Sequence, residues 1–161
     1  MQPFGTVSAL FLSRYILSFV PANQLKLQKL VYYCEGWHLA YFERSLIPEN
    51  FEAWVHGPVV RSLWDHYKLR GNMFQTQFYM RKEDAEKIRT YATHRLNPEQ
   101  IEMIGNVMEE YGDKSAYHLE SLSHSEPPWR EARNGYDQSE RSEVIISRGT
   151  MKRYYQSLFS K

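Results

Sequence analysis

Residues 23–42 read Asn-Gln-Leu-Lys-Leu-Gln-Lys-Leu-Val-Tyr-Tyr-Cys-Glu-Gly-Trp-His-Leu-Ala-Tyr-Phe. Leu27, Leu30, Val31, Cys34, His38 and Tyr41 recur at helical spacing on one stripe. Leu25, Tyr32, Tyr33, Trp37 and Leu39 carry apolar character round most of the remaining cylinder. A helix that is apolar on nearly all sides belongs in the centre of a structure, not on its surface. This stretch sets the expected fold: a mainly α, multi-helix domain over residues 1–161, built round a central buried helix, with minor short β strands.

The flanking sequence fits that frame. Thr6 to Phe19 has helical spacing through Val7, Leu10, Phe11 and Leu17, and Pro21 ends it. Residues 44–60 change character: Pro48, Asn50, Gly57 and Pro58 punctuate them, and Phe51 to Val55 reads as a short extended piece. Pro58 suits the first turn of a helix over Val59 to Leu69, which Gly71 and Asn72 stop. Phe74 to Met80 is a strand or an ordered loop. Lys82 to His94 is a charged helix. Asn97-Pro98-Glu99-Gln100 is a strong start signal, with a cap, Pro at the first helical position and Gln at the third. Ser115 to Ser123 and Thr150 to Phe159 give further helices. Pro127 to Arg133 is a proline-started turn or short helix, and Glu143 to Ser147 a small strand.

Composition bounds the function. Lys and Arg number 20 against 19 Asp and Glu, a net charge of +1. That balance argues against a chain built chiefly to hold nucleic acid. Cys34 is the only cysteine, so no intrachain disulfide forms and a reducing compartment is the natural setting. Arg14 interrupts the N-terminal apolar residues, and no run approaches the roughly 20 apolar residues of a membrane span. A cytoplasmic protein is expected. Aromatic residues reach 15%, enough to fill a core and furnish a partner surface.

Catalytic signatures are sparse. None of the histidines sits in HExxH or a paired cysteine–histidine spacing, so neither metal nor cofactor is expected. His38 and Cys34 lie on the apolar stripe, where a hydrogen-bonded core histidine and a small core hydrophobe are the simpler readings. There is no GxSxG, GxGxxG or P-loop. A hydrolase would need His56, His124 and carboxylates to converge in one pocket. A DNA-binding autoregulator would need a basic stripe, and no helix-turn-helix can be placed.

Two clusters stand out: Trp54-Val-His56-Gly57-Pro58-Val and His124-Ser-Glu126-Pro-Pro-Trp129-Arg-Glu-Ala-Arg133. Each joins Trp and His to rigid punctuation, which fixes how the neighbouring side chains are presented. A Trp here either anchors its loop on the core or supports a binding hot spot, and the two roles are compatible.

With residues 26–40, these clusters resemble the Panacea (SocA-like, or GepA-like phage-associated) family. Three blocks in order carry the resemblance: Lys26 to Ala40, Glu52 to Val59, and His124 to Arg133. Tyr111-Gly112 and Ser115 resemble the family's YGxxS turn. Pro127 is an extra proline in a slot that varies in the family, and Met73 to Leu96 matches least. The resemblance implies a mainly α, non-enzymatic antitoxin that neutralises a cognate protein toxin from the same operon by forming a complex with it. A proteolytic adaptor delivering the toxin to the ClpXP protease is the alternative. It implies that the motif or protein-binding set is Lys26, Tyr33, Trp37, His38, Trp54, His56, Gly57, Pro58, His124, Glu126, Trp129 and Arg133.

Overall fold

In the computed structural model, which describes residues 4–159, helices dominate. In order, the elements are α1 (Ala9–Leu17), β1 (Ala22–Asn23), α2 (Gln24–Phe42), β2 (Glu52–Trp54), β3 (Gly57–Val59) and α3 (Arg61–Tyr67). A 3-10 turn (Lys68–Arg70) leads to β4 (Gln77–Phe78), α4 (Lys82–Arg95), α5 (Pro98–Tyr111), α6 (Ala116–Ser125), α7 (Pro127–Ala132) and α8 (Arg148–Ser157). β1 pairs antiparallel with β4, and β2 with β3.

α2 is the central helix that its sequence requires. Asn23 caps it, its side chain accepting from the Lys26 N–H at 2.9 Å. It packs against α8, α5, α1 and α6, and Leu27, Leu30, Val31, Tyr32, Tyr33 and Cys34 are wholly buried. Gly36 sits where α8 crosses: a Cβ there would lie 2.5 Å from the Tyr155 ring.

Four polar residues of α2, Gln28, Lys29, Glu35 and His38, are buried too, and each holds a connecting segment. Glu35 accepts from the Leu46 and Ile47 N–H groups at 2.7 and 3.2 Å and from Arg148 at 2.9 Å. Gln28 accepts from the Val60 N–H at 2.9 Å and donates to its carbonyl. Lys29 donates to the Pro58 carbonyl at 3.0 Å. His38 Nδ1 donates to the Arg44 carbonyl, and its Nε2 accepts from Gln100 at 3.0 Å. Buried polar groups need such partners, so α2 holds the loop at 44–47 and the end of the β2–β3 hairpin at 58–60 through its side chains.

The structure corrects several element readings. Pro58 lies inside β3 instead of opening a helix, because Lys29 holds its carbonyl and Gln28 starts the next turn at Val60. α3 begins only at Arg61. Tyr41, placed on the buried stripe by its spacing, is 55% exposed and stacks on Phe159 with centroids 4.9 Å apart. α1 is shorter than expected, starting after the Ser8 cap. Glu143 to Ser147 makes a single antiparallel bridge, Ile145 opposite Glu52. The start signal at Asn97 is realised as a full capping box. Asn97→Ala should cost about 1 kcal/mol, checked by the shift in urea midpoint at unchanged slope.

Candidate protein-binding face

The β2–β3 hairpin turns through Gly57, whose φ of +103° suits glycine. Space forbids a side chain as well: a Cβ would lie 2.5 Å from Lys29 Cε and 2.9 Å from Ser123 Oγ. The hairpin is thereby pressed onto α2 and α6.

The His124–Arg133 block braces the hairpin from the other side. Trp129 is buried, stacks on His124 with centroids 4.1 Å apart and donates its indole N–H to the Trp54 carbonyl at 2.8 Å. Arg133 is 4% exposed and, among the described residues, pairs with no carboxylate. It donates to the Ala53 carbonyl at 2.9 Å and to the carbonyls of Asp137, Gln138 and Glu140, while its guanidinium lies over Trp129. Arg133 therefore ties three segments together and is not displayed to a partner. Glu126 is buried and accepts from the Tyr33 and Tyr155 hydroxyls at 3.0 and 2.9 Å. Burial pushes its carboxyl up to about 7 against the pull of those two bonds. Tyr33 also stacks on Tyr111 at 4.2 Å, and Trp37 donates to the Tyr111 hydroxyl.

Among the motif residues, Tyr33, His38, Gly57, Pro58, Glu126, Trp129 and Arg133 are thus buried, and Lys26, Trp37, Trp54, His56 and His124 reach solvent in part. What faces outward is a groove of about 500 Å³ lined by Trp54, Val55, His56, Arg61, Trp64, Arg141 and Ser142. Trp54 and Trp64 meet edge to face at 5.6 Å. Arg61 lies over the Trp54 ring and makes two bonds to Glu52, at 2.7 and 3.0 Å. Burial raises the Glu52 carboxyl, but bonds from Arg61 and Trp54 outweigh it and hold it below the usual range. His56 pairs with Glu120 at 2.9 Å and meets Phe74 edge to face. Lys68 lies over Trp64 at 4.1 Å. The result is a preset aromatic surface in a frame of paired charges.

Sequence reading missed Arg61, Trp64 and Glu120, which contribute to this face from α3 and α6. The only signal for Trp64 was its type: a Trp on a short helix after a turn. His56 and His124 both neighbour Glu120, yet they open into different depressions; that of His124 is shared with Arg130 and Tyr136. Burial lowers His124, with Glu120 opposing. Burial also drives the wholly buried Lys29 down to about 7 and His38 to about 4. Among the described residues, no three His, Cys, Asp or Glu side chains are grouped to hold a metal ion, and no helix is long and apolar enough to cross a membrane.

The chain matches the family model described as antitoxin SocA-like, Panacea domain, over residues 27–130. It is similar to Antitoxin SocA of Caulobacter vibrioides (strain NA1000 / CB15N), with 28% identity over 130 residues, covering 80% of this chain and 69% of that protein. No solved structure matches it.

Proposed function

On the premise that this chain belongs to the antitoxin SocA-like Panacea family, we propose that it neutralises a cognate protein toxin from its own operon by direct binding through folded surface, residues 1–161 acting as one domain. The observation that carries this reading is the Trp54–Trp64 groove. Two Trp rings and an Arg, held in place before any partner arrives, are what a binding hot spot requires. Their order lowers the entropy lost on association. The near-neutral charge of +1 favours a protein partner over nucleic acid.

The test is rescue. Each neighbouring gene is induced alone and with this chain, following growth and co-purification. Arrest by one neighbour, relieved with a stable complex, supports direct neutralisation. Relief without a complex, with toxin disappearing only when ClpXP is present, replaces it by the adaptor mechanism. Trp54→Ala combined with Trp64→Ala should weaken toxin binding by about 100-fold or more, since such anchors each contribute about 2 kcal/mol or more. Undiminished affinity in the folded double variant would assign the toxin to another face.

A further inference from the structure

We infer that Glu143–Ile145 is an open sheet edge that receives an extended strand of the toxin; this rests on the direct-binding reading above. The hydrogen bonds fix the geometry. Ala53 N–H donates to the Val144 carbonyl at 2.8 Å, and Ile146 N–H donates to the Phe51 carbonyl at 2.8 Å. Ile145 stands opposite Glu52 between those bonds. In an antiparallel pair of this kind, the residue between the bonds turns its own N–H and C=O away from its partner strand. Residues 144–146 therefore run beside β2 through the single Ile145–Glu52 bridge, and Ile145 presents both main-chain groups on its outer side. Among the described residues, nothing bonds to either.

The opposite edge of this small sheet is treated differently. Lys29 occupies the Pro58 carbonyl, and Gln28 occupies both main-chain groups of Val60. Proteins normally blunt an edge with Lys, Pro, a bulge or a covering element. The 143–145 edge has neither Lys nor Pro, and among the described residues no hydrogen bond covers the Ile145 main chain. Ile145 is 49% and Val144 36% exposed, although both are strong strand formers. Glu143, the one charge on it, is neutralised by Arg61 at 3.1 Å and Arg141 at 3.0 Å, so it does not repel an incoming chain.

An outward N–H and C=O on one extended residue are matched together by another extended main chain, as in strand addition. The residue facing Ile145 is expected to be apolar, because cross-strand apolar pairs stabilise such a contact. The edge is also continuous with the Trp54–Trp64 groove, since Arg141 and Ser142 line that groove. One toxin segment can therefore pair along 143–145 while its neighbouring side chains enter the groove.

Ile145→Pro tests this in complex with the toxin identified by rescue. Proline removes the outward N–H, and because the bonds to β2 belong to Val144 and Ile146 it takes away no main-chain bond of the fold. Affinity should fall roughly tenfold or more, as for a lost interfacial hydrogen bond to a partner left unpaired. Ile145→Thr, which keeps the N–H, should bind within about threefold of the unaltered chain. In the unaltered chain, toxin should slow hydrogen exchange of the Ile145 amide, a measurement that does not depend on either variant folding. Full affinity in Ile145→Pro, or unchanged exchange at Ile145, overturns the inference; loss of binding in the Trp54/Trp64 variant would still uphold the direct-binding reading. A dimer of the chain alone, dissociated by Ile145→Pro and protecting Ile145 without toxin, assigns the edge to a second copy and also overturns it. Absence of any complex with the unaltered chain removes both readings.

Discussion

Arg148→Ala is expected to destabilise the protein by about 3–5 kcal/mol, the range for stranding one member of a buried ion pair. For a chain of this size that corresponds to a fall of roughly 10 °C in Tm. Glu35 is wholly buried within α2, and Arg148, at the first turn of α8, donates to its Oε2 at 2.9 Å. The same guanidinium donates to Asn50 at 2.7 Å and to the carbonyls of Ile47 and Glu49. One side chain thus joins the last helix, the central helix and the loop before β2. Burial already raises the Glu35 carboxyl, with Arg148 and the Leu46 and Ile47 N–H groups pulling it down. Without Arg148, the carboxyl rises further above its unfolded value. A group raised in the folded state contributes stability below its unfolded pKa and loses it as pH rises through the folded one. The deficit of Arg148→Ala should therefore shrink as pH falls. Adding Glu35→Gln to Arg148→Ala should restore much of the loss, because the neutral amide oxygen still accepts from Leu46 and Ile47. Thermal and urea unfolding read both effects. A loss below about 1 kcal/mol in the single variant would make this a weak surface pair.

The helical frame was legible because it rests on local signals. The all-round apolar stretch at 23–42 and the Asn97 box act within a few residues and survive in the structure. Gly57 was legible as a turn glycine too, since its positive φ does close the hairpin. What could not be read was contact across the chain. Nothing near Glu35 in sequence points to Arg148, 113 residues away, and nothing near Trp54 points to Trp64 across a hairpin and a turn. Arg133 illustrates the limit most clearly. Its type and its place beside Trp129 suggested display, whereas its actual partners are main-chain carbonyls, which a sequence does not mark. Pro58 misled for a related reason: its fixed φ suits a helix start and an extended strand alike, and what holds it extended here includes a distant residue, Lys29, which donates to its carbonyl.

The second large effect concerns pH, and Lys29 and Glu126 pull it in opposite directions. Lys29 is driven from 10.5 to about 7 by burial, with Glu120 opposing. A depressed lysine favours the folded state when neutral, so its contribution is present above about 10.5 and is lost as pH falls to about 7, a difference of about 5 kcal/mol at most. Glu126 is driven from 4.5 to about 7. Its contribution is present below about 4.5 and is lost as pH rises to about 7, a difference of about 3 kcal/mol. The two slopes meet near neutrality, where each group is half titrated and both hold the fold below its attainable stability. Lys29→Met should therefore stabilise the protein at pH 6, and its advantage should decline by about 3 kcal/mol by pH 9. Glu126→Gln, whose amide oxygen still accepts from Tyr33 and Tyr155, should behave conversely, gaining about 2–3 kcal/mol on the unaltered chain between pH 5 and pH 8. Urea midpoints across that range, taken as differences from the unaltered protein, cancel the groups common to both. Parallel curves for all three proteins would mean that neither group titrates between the folded and unfolded values. Divergence in the expected senses would show that the scaffold behind the Trp54 face trades stability for two buried ionisable anchors, one holding the hairpin to α2 and one holding α7 to α8.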